Sequence, residues 1–255
     1  MRKITWVALA LVLSTSSLFA QPFRKRVEAP SAPLSAVDQT LWNFYFHAIF
    51  DSAVYQEVNL RQLRPLVPDP NGNVIGATLT SRNGVVGQPL PSEDGGIWIT
   101  GYPEVQDICR TWTTLDIPMR LRELIGLPPD ADIPRVITLQ AKASDVFRPA
   151  VDPTITTTYP CAVPPGGPMP KDCGNVFPKD TSPYHYAWMA NSALSLHEVP
   201  DGYPWTHLGY TYNWRPGQDR YGASEYVIRQ GAQPIIMAVT TPEQYCAPPI
   251  SASAH

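Results

Sequence analysis

SEYVIRQGAQPIIMAV, residues 224–239, reads as two strand-like runs joined at Gln230-Gly231. Tyr, Val and Ile crowd both halves, and the glycine supplies the backbone freedom of a turn. Similar short runs flank it. ASEYVIR (223–229) and QPIIMAVT (233–240) overlap its two halves, and WTHLGYTYNW (205–214) precedes it. Further upstream lie NVIGATLT (73–80), GVVGQPL (84–90), GGIWIT (95–100) and RVITLQAKA (135–143), punctuated by Gly, Pro and Asn-Gly. Each is an expected strand.

Two segments carry helical spacing. Over residues 35–63, Leu41, Trp42, Tyr45, Phe46, Ile49, Phe50 and Val54 recur at three- and four-residue steps. Ser35 is a candidate cap, and Arg64-Pro65 a stop. In DIPMRLRELIGL (116–127), Asp116 suits the cap, Pro118 the first turn and Gly126 the end. SDVFRPA is expected to hold one helical turn. Strands and helices do not alternate, which points to α+β rather than a parallel α/β fold. The expectation is a mostly antiparallel sheet with the long N-terminal helix packed on it, linked by Pro-rich loops. Residues 149–183, rich in Pro, Gly and Thr, are read as one long loop.

The chain begins as an exported protein does. Arg2 and Lys3 precede an apolar run from Ile4 to Leu13, and a small, polar stretch ends at Ala20. Residues 1–20 are therefore expected to be a signal peptide, 21–34 a flexible leader, 35–248 one globular domain and 249–255 a disordered tail. No second apolar run of membrane length follows, so the mature chain is expected to lack a transmembrane segment. Four cysteines, none in a C-x-x-C pair, agree with an oxidising compartment. Cys161–Cys173 and Cys109–Cys246 are the favoured pairs of three possible connectivities. Localisation is expected to be secreted or periplasmic.

A net charge of −3 argues against a basic phosphate-binding surface, and only 16 glycines in 255 residues argue against collagen or a Gly-rich linker, although 29 prolines are about twice the ordinary usage. No nucleic acid is expected as partner. Phosphate-loop, dinucleotide-loop, zinc-protease and serine-hydrolase motifs are all missing, so no resident cofactor is expected. The densest chemistry lies in residues 184–214. There Tyr210, Tyr212 and Trp214 alternate, which in a strand puts three rings on one face and offers a ligand platform. His207 lies beside them. His185, His197 and His207 are spaced by 12 and 10 residues, which matches no metal pattern, and no metal site is expected. A small-molecule, glycan or protein ligand would suit such a platform.

Glu225 is the candidate catalytic acid. It starts the run Tyr226-Val227-Ile228, with Gly231-Ala232 and an apolar strand after it. Locally this resembles the closing segment of ADP-ribosyltransferase domains, although Ala223 stands where that family carries Gln or Glu. The resemblance implies NAD as substrate, with Glu225 holding a ribose hydroxyl and stabilising an oxocarbenium-like transition state. The function expected from the whole sequence is an exported ligand-binding or interaction module. The alternative is a small secreted enzyme that uses Glu225.

Overall fold

The computed structural model describes residues 35–54, 56, 59–93, 95–113, 116–159 and 182–248. The signal peptide, the leader, the tail and the Cys161–Cys173 pair lie outside them. Among the described residues the fold is α+β: five α-helices and a seven-stranded antiparallel sheet. The strands are β1 (Asn73–Thr80), β2 (Ile97–Gly101), β3 (Arg135–Lys142), β4 (Val146–Phe147), β5 (Tyr210–Tyr212), β6 (Tyr221–Ile228) and β7 (Ile235–Thr240). Their order is β4-β6-β2-β1-β3-β7, and β5 pairs with the N-terminal half of β6. β6 thus carries β2 on one edge and shares its other edge between β5 and β4.

Pairing register assigns the two faces. One face carries Val74, Ile99, Ile137, Leu139, Tyr226, Ile228 and Ile236, buried under Leu66, Leu90 and neighbouring loops. The opposite face has two covers. Ala77, Val136 and Ala223 lie under α2 (Glu104–Cys109), α3 (Ile117–Ile125) and α5 (Pro242–Cys246), which meet through Val105, Leu121, Leu124 and Tyr245. The disulfide Cys109–Cys246 ties α2 to α5 across 137 residues of chain, as the sequence predicts. The far end of the same face carries Trp98, Val227 and Phe147, and lies under α4 (Pro183–Leu196).

α3 forms for the reasons its sequence states: the Asp116 side chain accepts from Met119 N at 2.9 Å, and Gly126 closes the helix at φ 74°. Other expectations need correction. The first helix, α1 (Ala36–Ala53), is capped by Ser35 but stops ten residues before Leu63. Leu60 and Leu63 leave helical geometry because Leu208 and Tyr210 give them a buried place. Nor does α1 lie on a broad face of the sheet. Its Tyr45, Ala48 and Ile49 pack on Met119 and on Tyr212 and Trp214 at the end of β5. GVVGQPL is not a strand. Gly87 N donates to Ile236 O, and Ile236 N to Gln88 O, but Pro89 has no donor to continue a ladder beside β7. The expected turn at Ser144 is a 3-10 turn, Ala143–Asp145, leading into β4. One disulfide, not two, is present among the described residues.

Candidate functional site

The register sets Thr138, Ala77, Thr100 and Glu225 in one row across β3, β1, β2 and β6. All four are buried, so β6 carries a carboxyl into the interior at the end of this row, where only 6% of Glu225 is exposed. Glu225 N donates to Gly209 O at 3.0 Å, which fastens this point of β6 to the turn before β5. That turn is sharply wound. Gly209 has φ 83°, and a Cβ there would lie 2.6 Å from Arg148 Cδ. His207, a non-glycine residue, is held at φ 48°, a region that side chains enter only where their surroundings over-determine it.

A cluster of rings gathers about Trp205, the aromatic side chain that interacts with Glu225. Trp98 of β2 and Trp188 of α4 are half-buried and stand 6.0 Å apart at a shallow tilt. Both meet the buried Trp205 edge-on, at 6.2 and 6.0 Å. Phe147 and His185 close one side against Trp188. His197 stacks on Trp205 at 6.1 Å, and His207 meets both at 5.9 and 5.7 Å. His185 Nε2 pairs with Ala150 O at 2.6 Å and His197 Nε2 with Trp205 O at 2.8 Å. The His207 ring pairs with the Ala53 carbonyl at the end of α1.

Three polar atoms in this cluster are buried without a hydrogen-bond partner: Glu225 Oε1, Trp205 Nε1 and His207 Nδ1. Trp205 and Glu225 interact through their side chains, yet these two atoms do not reach hydrogen-bond geometry. Burial dictates protonation. It pushes the Glu225 carboxyl up to about 8, against the pull of the Arg148 charge and of Trp205. It pushes His207 down to about 4, with His197 adding to the fall. Burial also lowers His185 and His197. At neutral pH the cluster therefore holds a protonated acid and uncharged imidazoles.

Arg148 closes the cluster from behind. It is fully buried and donates to the carbonyls of Arg64, Thr154, Ile155, Thr157 and Gly209, and to the Tyr226 hydroxyl. Its neutral acceptors come from four separate stretches of chain, so one guanidinium fixes them together.

Of the residues that the sequence singles out, Glu225 and His207 come together around Trp205. Tyr210, Tyr212 and Trp214 do not join them. Tyr210 is buried among Leu60, Leu63 and Leu208, with its hydroxyl donating to Asn59 O at 2.8 Å. The Tyr212 hydroxyl donates to Asp51 Oδ2 at 2.6 Å, and Trp214 Nε1 to Leu127 O at 2.9 Å. A β-bulge between Tyr210 and Tyr212 and the short span of β5 break the alternation that would align the three rings. No group of three potential metal-binding side chains meets among the described residues. Trp98, Trp188 and Arg148 are site residues that the sequence does not announce, and His197 stands in it only as one of three histidines whose spacing matches no metal pattern. Trp98 alone carries a signal, through its place in the strand GGIWIT. No known protein family, curated protein or solved structure matches this chain.

Proposed function

We propose that this is an exported binding protein that takes a small, uncharged, hydroxyl-bearing ligand, of which a simple sugar is the plainest fit. The observation that carries the reading is the trio of buried, unpartnered polar atoms on Glu225, Trp205 and His207 beneath the half-exposed Trp98 and Trp188. Native interiors rarely leave such atoms unsatisfied, and each costs about 1–3 kcal/mol when left so. Hydroxyl groups can give and accept the missing hydrogen bonds, while indole faces suit the apolar side of a sugar ring. A neutral cluster at pH 7 favours a neutral ligand. Export is supported by the N-terminal sequence and by the Cys109–Cys246 bond, and the proposed place is the periplasm or the medium.

Tryptophan fluorescence titrated with glucose, galactose, N-acetylglucosamine and maltose tests this. Saturable quenching is expected with at least one sugar, weakened more than about tenfold in a Glu225→Gln variant that still melts cooperatively. Absence of saturable binding to every sugar, or identical binding by Glu225→Gln, overturns it.

One observation favours a second reading, as an enzyme. A carboxyl that keeps its proton to about pH 8 is suited to general-acid chemistry. Consumption of NAD by the oxidised protein, lost in Glu225→Gln, would support the transferase-like role instead of simple binding.

A further inference from the structure

Trp205 is the pivot of the ring cluster, and the side chain that ends α4 takes hold of it. His197 follows the last residue of α4, and its backbone N–H donates to Ala193 O as the helix closes. From there its ring reaches Trp205, eight residues on, and makes two contacts. The imidazole lies along the indole at a tilt of 26°, whereas Trp98, Trp188 and His207 all meet that indole edge-on. Its Nε2 stands 2.8 Å from Trp205 O. A carbonyl oxygen only accepts, so Nε2 carries the hydrogen, and in the uncharged ring Nδ1 is bare. Burial favours that uncharged ring at neutral pH.

The main chain at Trp205 is irregular, which gives this one bond its weight. Trp205 belongs to none of the seven strands and makes an isolated bridge to Thr211. Its N–H donates back to Tyr203 O, only two residues away, and His207 two residues on has φ 48°. A planar peptide whose carbonyl is pinned sets the direction of the neighbouring Cα–Cβ bond. The hydrogen bond from His197 therefore sets where the Trp205 indole points. That indole carries the unpartnered Nε1 that interacts with Glu225.

We infer that His197 is a positioning residue of the ligand site: its Nε2–H, bonded to the Trp205 carbonyl, holds the indole N–H in the direction from which it meets a ligand hydroxyl. For its ligand the inference rests on the sugar-binding reading, and for its geometry on the hydrogen bond alone. Two replacements separate that bond from the ring contact. His197→Phe keeps a ring and has no donor, while His197→Gln has no ring and carries an amide N–H to the place of Nε2.

Nitrogen-15 NMR of the oxidised protein is the first test and needs no ligand. His197 is expected to carry its hydrogen on Nε2, and a hydrogen on Nδ1 overturns the inference. The Trp205 indole N–H signal, assigned by its loss in Trp205→Phe, should move in His197→Phe and return towards its original position in His197→Gln. The Trp214 indole N–H, bonded to Leu127 O, is the internal control and should stay in place. Fluorescence titration with glucose, galactose, N-acetylglucosamine and maltose should follow the same order. Affinity is expected to be about tenfold lower in His197→Phe and recovered to within about threefold in His197→Gln. The opposite order, with His197→Phe the better variant, assigns His197 to ring packing alone and overturns the inference, as does a Trp205 signal that moves in neither variant. If no sugar binds while the indole signals keep the expected order, the sugar reading falls and the positioning of Trp205 stands.

Discussion

Two aromatic regions lie side by side in this molecule and differ in how their polar atoms are satisfied. In the first, Tyr210, Tyr212 and Trp214 each hand a hydrogen bond to a defined acceptor, on Asn59, Asp51 and Leu127. In the second, Trp205, His207 and Glu225 keep a polar atom apiece without a partner. Both are rich in rings and both are largely buried. The first has every sign of architecture: its hydrogen bonds pin α1, the loop before β1 and α3 to the strand. The second retains unsatisfied capacity, which is what a site for something else requires. Arg148 stands between them, bonded to Gly209 O at the entry to β5 and acting on the charge of Glu225.

The strongest challenge to this contrast is Arg148→Ala. It strips donors from five carbonyls and a hydroxyl at once, and the variant is expected to lose on the order of 3–5 kcal/mol or fail to fold, as read by urea denaturation. A small loss would mean that the two regions are not held apart by this residue. Next in size is the disulfide. Replacing Cys109 and Cys246 by Ala is expected to cost about 2–5 kcal/mol, with the fluorescence of the Trp205 cluster unchanged, since the bond clamps the other end of the face.

Glu225 gives a pH test of the unsatisfied region. Its folded value, about 8, lies above the ordinary carboxyl value of 4.5, so the folded state binds more protons between them. Stability is therefore full below about pH 4.5 and is lost as pH rises through 8, a fall of a few kcal/mol. Glu225→Gln should flatten that slope in thermal melts between pH 5 and 8.5, a window of about the same span. His207 acts in the opposite sense. Its value falls from 6.5 to about 4, so its contribution is lost as pH drops through 4. An unchanged slope in Glu225→Gln would show that the carboxyl is solvated.

The smallest effects separate the regions most cleanly. Tyr210→Phe should cost about 1 kcal/mol in stability and leave sugar-dependent quenching intact. Trp205→Phe removes an indole N–H that interacts with Glu225 without reaching hydrogen-bond geometry, so it should cost less in polar interactions and yet abolish the quenching. The reverse pattern would exchange the roles of the two regions.

Much of the scaffold was legible. Asp116, Pro118 and Gly126 mark α3 because capping and helix termination are local events. The alternation of β-branched residues marks β1, β3, β6 and β7 for the same reason. α2 and α5 escape notice because six and five residues are too few to show a period. α4 escapes because apolar and aromatic residues lie all round it, although Ser182-Pro183 marks its start and the Ser182 side chain accepts from His185 N. At the site, Glu225 and His207 were visible as residue types, and their neighbours were not. Trp98 and Trp188 meet only because β2 pairs with β6 and α4 crosses that end of the face.

Amino-acid order alone settled the mixed α+β character and the positions of the stronger strands, because these follow from local backbone preference; it favoured the Cys109–Cys246 pairing among three, and the structure decided it. Tertiary structure alone settled which rings are satisfied and which are not. A hydrogen bond from Tyr212 to Asp51, or its lack at Trp205, depends on segments more than a hundred residues apart in one case and on a missed alignment across the cluster in the other. Long-range packing sets such distances to within an ångström, and no local pattern encodes them.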